Sequence, residues 1–200
     1  VVPGAVLLVM RDGQLLYRKA VGKQDPAGAA PMAADSLFRV YSMTKPIVSV
    51  AALTLIEQGQ MALGDPLSRY LPELKDLKVG VEKPGADGKP MLELVPSRRD
   101  ITVHDLFRHM SGLTYAPFGA SLVKEEYKKA GVNPGDPAAD YDNAELVRRV
   151  AKVPLAWQPG STWDYSISTD ILGALVEKVA GQTLDVVLQQ RIFGPLKMND

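Results

Sequence analysis

Residues 38–58 read FRVYSMTKPIVSVAALTLIEQ, a short polar motif followed at once by an almost wholly apolar segment. Residues 46–58 carry apolar side chains nearly all the way round a helix, which predicts a helix in the middle of a core. Proline is tolerated only in the opening turn of a helix, so Pro46 sets residues 42–45 at its N-terminal end. Gly59 is predicted to end the helix.

The chain before this stretch predicts a β-hairpin, because two β-rich runs flank Asp12 and Gly13 at residues 5–10 and 14–21. A lone hairpin leaves both edges unpaired, so we expect further strands to complete the sheet. The chain after it is predicted to be mostly helical, and strands followed by helices are typical of the α+β class. The predicted helices cover residues 103–110, 143–152, 169–180 and 183–192, with a short helix or turn at 65–74 and an irregular loop or weak hairpin at 78–96.

This pattern divides the chain into three regions. A polar, proline-containing stretch at about 115–141 predicts a loop insertion in the middle region. Thr102, with Asp105 three residues later, forms a capping-box pattern at the start of a helix. The three regions are the hairpin with the central helix (1–60), a mostly helical domain (61–167) and helices that return toward the first region (168–200).

The composition limits the function classes. The 200 residues are 46% hydrophobic and 23% charged, as in ordinary globular proteins. Twenty-three basic residues balance twenty-three acidic ones, which argues against broad binding to nucleic acid or to an anionic membrane. The absence of cysteine excludes disulfides, thiolate metal sites and cysteine nucleophiles. No apolar run approaches the roughly 20 residues that span a bilayer.

The two histidines are weak candidates for chemistry. His104 and His109 are five residues apart and so face different sides of a helix, unlike the i,i+4 pair of a zinc site. We expect both to be structural. Since no phosphate loop or Gly-x-Gly-x-x-Gly motif occurs either, we expect neither a metal nor an organic cofactor.

Ser42 and Lys45 are the stronger candidates, in the pattern Ser-x-x-Lys. A serine hydroxyl is a weak nucleophile that needs a base, and this spacing sets an amine one helical turn away on the same face. An amine serves as a base only where burial or a neighbouring cation lowers its pKa, and the apolar helix that follows supplies burial. The free N–H groups at a helix start would also favour an oxyanion forming at Ser42.

A second Ser-x-x-Lys shows that the pattern alone is not specific. Ser121 and Lys124 repeat it in a charged, solvated stretch, and roughly one such pattern is expected by chance in a chain of this length. The structural alternative for Ser42 is an ordinary helix N-cap followed by a lysine whose stem lies along the surface. By the same reasoning, Tyr165 on its own would be a buried aromatic with a bonded hydroxyl.

Five motifs in order shift this balance: residues 38–45 (FRVYSMTK), 106–113 (LFRHMSGL), 159–166 (PGSTWDYS), 172–181 (LGALVEKVAG) and 195–200 (PLKMND). Together they resemble the serine β-lactamase and penicillin-binding protein superfamily. The likeness is greatest to its class C branch and to the family VIII carboxylesterases. The resemblance implies an antiparallel sheet flanked by helices, plus a mostly helical domain.

The resemblance also implies the roles of three residues. Ser42 would be the nucleophile, Lys45 its hydrogen-bonded activator, and Tyr165 the group that takes the serine proton and returns it to the leaving group. A phenol beside a lysine cation has its phenolate stabilised, so this pairing is chemically sensible. His109 would be a structural landmark of its motif.

Two departures from the family pattern bear on function. Penicillin-recognising members usually carry Tyr-x-Asn, whereas Ile167 occupies the third position here and cannot hydrogen-bond. This favours short-chain carboxylic esters over β-lactams. Family members are also nearly twice as long, and the strands that complete the sheet are missing. We therefore expect completion by a C-terminal half, in another chain or in residues not recorded.

The resulting prediction is an esterase that forms an acyl-enzyme on Ser42, with a small ester or β-lactam substrate, no nucleic-acid partner and no membrane span. A β-lactamase or DD-peptidase with the same acylation machinery is the alternative among enzymes. A catalytically silent ligand-binding member is the alternative of another class. The sequence begins without Met or a basic-then-apolar leader, so we expect that any targeting peptide was removed or never existed, and the compartment stays open. Of the two compartments considered, the bacterial cytoplasm is weakly favoured over the periplasm, which would require a removed leader.

Overall fold

The computed structural model describes residues 2–136 and 138–198. The chain divides into two compact units, with the boundary between Ser42 and Met43. The described residues combine helices with antiparallel strands, as predicted for the α+β class. Of the described residues, the strands form two separate two-stranded antiparallel sheets, one in each unit.

The first unit contains the predicted hairpin, β1 (Gly4–Arg11) and β2 (Gln14–Gly22). Asp12 and Gly13 form the two-residue turn, with φ of 51° and 75°. Positive φ at both turn residues matches the twist of paired strands, which is why Asp-Gly predicted the turn. Apolar side chains of both strands are exposed, including Leu7 at 55% and Leu16 at 59%.

The second unit contains six helices, one hairpin and shorter turns within its described residues. The predicted weak hairpin at 78–96 is confirmed, and its two strands pair in register. The elements are α1 (Thr44–Glu57), β3 (Lys78–Pro84), β4 (Pro90–Pro96), α2 (Val103–Phe107), α3 (Leu122–Lys129), α4 (Asn143–Val150), α5 (Ser168–Ala180) and α6 (Leu184–Leu188), with 3₁₀ turns at Leu67–Arg69 and Pro72–Leu74 and a π-turn at Gln189–Phe193.

The helix predicted to be central, α1, is covered on one face only. Its buried residues are Val48, Ala51, Ala52 and Leu55. Val50 and Leu53 on the opposite side are 48% and 46% exposed. The middle of the helical core is instead α5, which packs against α1, α2, α4 and α6. The second apolar face of α1 is thus not covered within the described residues of this unit.

The segment predicted to be a loop insertion, residues 115–141, contains the helix α3. Ser121 caps this helix by accepting a hydrogen bond from the N–H of Lys124 at 3.2 Å. Val123 and Tyr127 are buried, and their spacing of four residues sets them on one helix face. The charged residues of the other face made the segment read as a polar loop.

The capping box at α2 is confirmed and positions the residues that follow. Thr102 and Asp105 exchange hydrogen bonds between side chain and backbone in both directions. Asp105 is fully buried and also accepts from Arg99 at 2.6 Å and from Arg108 at 3.2 Å. Its carboxylate therefore anchors the short helix, which ends at Phe107 and leads directly into the segment around His109.

Close backbone packing fixes the segment after α2. Gly112 has φ of 84°, and a Cβ there would lie 2.2 Å from the carbonyl oxygen of Trp157. Only glycine fits this approach, in which Gly112 accepts a hydrogen bond from the N–H of Ala156 at 2.8 Å. Residues 109–112 are thereby held against the chain that leads to Tyr165.

Candidate active site

Lys45 and Tyr165 lie together at the start of α1. Lys45 is half-buried in the first turn, and its Nζ is 4.9 Å from the centre of the Tyr165 ring. Ser42 lies in the one-turn helix Tyr41–Met43 that precedes α1, and it is exposed. Two of the three predicted residues thus meet within the second unit, and Ser42 is the last residue of the first.

His109 holds the backbone on both sides of Tyr165. The N–H of Asp164 donates to the carbonyl oxygen of His109 at 3.0 Å. The N–H of Ser166 donates to His109 Nδ1 at 3.2 Å. The imidazole also lies along the phenol, with ring centres 4.8 Å apart and a tilt of 32°.

Three buried serines extend this contact into the core, and we call them the serine relay. Ser166 Oγ lies 3.3 Å from His109 Nδ1, and Ser168 Oγ lies 2.6 Å from Ser166 Oγ. Ser111 Oγ lies 2.8 Å from Ser168 Oγ and accepts from the N–H of Leu113 at 3.1 Å. A continuous line of hydroxyl groups therefore ends at the imidazole beside Tyr165.

Aromatic rings surround Tyr165 on its other sides. The ring centres of Phe118, Tyr115 and Trp163 lie 6.2, 6.4 and 6.5 Å from that of Tyr165. Phe118 and Trp163 are 56% and 64% exposed, so they offer apolar surface beside the phenol. Such surface suits the hydrocarbon part of a small substrate.

Burial dominates the electrostatics of the site. Burial, together with the charge of Lys45, holds the pKa of His109 below its usual 6.5. Burial raises the pKa of Asp170 above 3.8, although the charge of Lys45 opposes this. Burial and then the charge of Asp170 raise the pKa of Tyr115. The charge of Lys45 therefore acts on both His109 and Asp170.

Ile167, on which the expected substrate preference rested, is fully buried in the core. It follows Tyr165 by two residues but packs inward at the start of α5. This position therefore provides neither a side-chain amide nor exposed surface to a substrate.

Sequence reasoning missed Phe118, Asp170 and the serine relay. Ser111 and Ser166 each lie in one of the quoted motifs, but nothing in the sequence joined Ser111 to Ser166 and Ser168, more than fifty residues away. Phe118 was hidden because it lies in the segment predicted to be an insertion.

The second Ser-x-x-Lys forms a helix cap, although its lysine is less solvated than predicted. Ser121 is the N-cap of α3, and Lys124 Nζ donates to the carbonyl oxygen of Phe118. Lys124 is half-buried, like Lys45. The two lysines therefore differ in their partners and not in their exposure.

Comparison with known proteins identifies the family. A profile of the family described as Beta-lactamase matches residues 1–200. The chain belongs to the beta-lactamase family. Within it, the chain is 40% identical over 198 residues to Esterase EstB of Burkholderia gladioli, and 33% identical over 193 residues to a lovastatin esterase of Penicillium rubens. The matches cover 98% and 94% of this chain.

A solved structure agrees with the sequence relatives. EstCE1, a hydrolase with promiscuous acyltransferase activity, superposes with a TM-score of 0.81 at 31% identity, over 98% of this chain. The chain covers only 47% of EstCE1, 46% of EstB and 45% of the lovastatin esterase. It therefore spans about half the length of these relatives of the beta-lactamase family.

Within residues 2–136 and 138–198, no group of three or more His, Asp or Glu residues is arranged to hold a metal ion. In the same part of the chain, no helix has both the length and the apolar character needed to cross a membrane.

Proposed function

We propose that this chain carries the acylation machinery of a serine hydrolase that cleaves short-chain carboxylic esters through an acyl-enzyme on Ser42. The observation that carries the proposal is the Lys45 amine lying 4.9 Å from the centre of the Tyr165 ring. A cation beside a phenol favours the phenolate, which can act as a base near neutral pH. The family to which the chain belongs adds weight to this pairing.

The proposed reaction has two balanced halves. The Ser42 hydroxyl oxygen attacks the ester carbonyl carbon, and its proton passes to the Tyr165 phenolate. Collapse of the tetrahedral intermediate breaks the bond to the alcohol oxygen, which takes the proton from Tyr165 and leaves. Water then attacks the acyl-enzyme, again giving its proton to Tyr165, and Ser42 recovers the proton as the carboxylic acid is released. The backbone N–H of Ser42 would donate to the oxyanion in both halves.

Esters are favoured over β-lactams for two reasons. Ile167 is buried and presents no amide that could hydrogen-bond an acylamido side chain. The exposed rings of Phe118 and Trp163 instead offer apolar surface next to Tyr165. The relatives named esterases fit the same class of substrate.

We further propose that a C-terminal half completes the active enzyme. The hairpin β1–β2 exposes apolar side chains on both faces, and α1 leaves Val50 and Leu53 uncovered. Buried apolar faces are what stabilise strands and helices, so these surfaces need a partner. The relatives hold about as much sequence again as this chain covers. The missing half would add strands beside the hairpin.

Covalent labelling tests the proposal. The protein, together with its C-terminal half, is exposed to a fluorophosphonate and its intact mass is measured. We expect one adduct in the wild type and in Ser121→Ala, and none in Ser42→Ala, because only Ser42 is activated. An adduct that persists in Ser42→Ala, or no adduct on the folded wild type, would contradict the proposed nucleophile and favour a silent ligand-binding protein.

The substrate class is tested separately by turnover. A p-nitrophenyl ester of a short acid and the β-lactam nitrocefin are compared at equal concentration. We expect a kcat/KM at least about 100-fold higher for the ester. A preference for nitrocefin would leave the nucleophile in place and assign a β-lactamase instead.

A further inference from the structure

We propose that His109 is the positioning residue of Tyr165. It fixes the phenol against Lys45 by accepting hydrogen bonds from the backbone N–H groups of the two neighbours of Tyr165, Asp164 and Ser166. The inference rests on the proposed function, since it takes Tyr165 to be the proton carrier. It gives His109 a part in the reaction, although its sequence pattern predicted only a structural role.

The geometry is unusual in that one residue holds both neighbours of Tyr165. The carbonyl oxygen of His109 accepts from Asp164 N–H at 3.0 Å, and its Nδ1 accepts from Ser166 N–H at 3.2 Å. The peptide units before and after Tyr165 are therefore both tied to the same side. With the ring of His109 4.8 Å from the phenol, little freedom is left for Tyr165 to turn.

A left-handed backbone makes this double contact possible. His109 has φ of 54°, a conformation that residues other than glycine adopt rarely and that is concentrated at functional sites. It turns the carbonyl and the imidazole of one residue toward the same stretch of chain. Since asparagine tolerates this conformation and its Oδ1 can accept much as Nδ1 does, asparagine is the conservative substitute.

The hydrogen bonds define the protonation of the imidazole. A backbone N–H can only donate, so Nδ1 accepts and the proton of the neutral ring is on Nε2. Donation in the order Ser111, Ser168, Ser166 gives every hydroxyl of the serine relay an acceptor, with Nδ1 at the end. The serine relay thus favours the same neutral tautomer.

The charged surroundings keep His109 in this state near neutral pH. Lys45 at the start of α1 and Asp164 in the following segment face the imidazole with opposite charges, and the Tyr165 hydroxyl is the third titratable neighbour. Burial and Lys45 outweigh Asp164 and lower the pKa of His109 from 6.5. Protonation of Nδ1 at lower pH would remove the acceptor and release the backbone after Tyr165.

The test compares labelling rates of variants that fold. The rate of fluorophosphonate labelling of Ser42 is measured for wild type, His109→Asn, His109→Leu and His104→Leu, the last being an exposed histidine on α2. We expect His109→Leu to slow labelling at least about 100-fold, and His109→Asn to stay within about tenfold of wild type. His104→Leu should match wild type.

A pH profile separates positioning from a purely structural role. Wild-type labelling should fall in acid as His109 takes up a proton, and His109→Asn should lack that part of the fall. This comparison decides the matter even if His109→Leu does not fold. Two results would overturn this inference but leave the proposed function in place, provided that the wild type is labelled. The first is a folded His109→Leu that is labelled as fast as wild type. The second is an identical pH profile for wild type and His109→Asn. Absence of wild-type labelling overturns the proposed function and the inference with it.

Discussion

The chain carries two Ser-x-x-Lys segments, and their surroundings differ although their pattern does not. At Lys45 the amine lies over the ring of Tyr165. At Lys124 the amine is bonded to the backbone carbonyl of Phe118, and Ser121 is occupied as a helix cap. Both lysines are half-buried, so burial does not separate a candidate base from a structural lysine. The partner of the amine separates them.

Replacing Lys45 and Lys124 in turn should give the largest difference in ester hydrolysis between the two segments. Lys45→Met removes the cation beside Tyr165, and we expect kcat/KM on a p-nitrophenyl ester to fall about 1,000-fold, within the range of general-base effects. Lys124→Met should change it less than threefold. Both values are read from initial rates of the protein with its C-terminal half. Equal losses in the two variants would mean that the two segments do not differ in function.

Two tyrosines, the half-buried Tyr165 and the buried Tyr127, sharpen the same contrast. Tyr165→Phe removes the proposed proton carrier, and we expect kcat to fall about 100-fold with KM little changed. Tyr127 is fully buried. The backbone of Thr114 lies near enough to its hydroxyl to lower the pKa of the phenol, but the hydroxyl makes no well-formed hydrogen bond. Tyr127→Phe should therefore keep kcat and leave the free energy of unfolding unchanged or raised by up to about 1 kcal/mol. A fall in kcat for Tyr127→Phe alone would reverse these assignments.

The caps of helices α2 and α3 can also be compared, beginning with Asp105 at α2. Burial by itself would raise the pKa of Asp105, but hydrogen bonds from Arg99 and Thr102 outweigh it and lower the pKa from 3.8. The folded state thus favours the carboxylate, which stabilises the protein above pH 3.8; this contribution is lost as the pH falls through the lowered value.

We expect Asp105→Asn to lower the free energy of unfolding by about 2 kcal/mol at pH 7, because a charge-assisted network is lost. The difference from wild type should shrink in acid, as followed by urea unfolding at several pH values. A difference that does not change with pH would show that the charge of Asp105 is not what stabilises α2.

The smallest expected effect is at Ser121. Ser121→Ala removes the cap of α3 and should lower the free energy of unfolding by about 1 kcal/mol. Ester hydrolysis should stay within twofold of wild type. Thermal unfolding and initial rates on one sample measure both quantities. Lost activity with unchanged stability would make this serine, and not only Ser42, part of the chemistry.

Local patterns predicted most of the secondary structure. The hairpin turn at Asp12 and Gly13, the capping box at Thr102 and the helix end at Gly59 all depend on residues that are near in sequence. Helix α3 was missed since its two buried residues, Val123 and Tyr127, are separated by charged ones. The central place of α1 stays a prediction: within the described residues only one of its faces is covered, because apolar character does not say which element will cover it.

By itself, the sequence determined the family, the order of the elements and the residues worth testing, because these depend on motifs and short-range periodicity. Only the tertiary structure joined His109 to both neighbours of Tyr165 and linked Ser111 to Ser168 across 57 positions. It also set Lys45 over Tyr165, 120 positions further along the chain. Such contacts depend on how helices pack and on left-handed turns such as that at His109, and no local pattern encodes them.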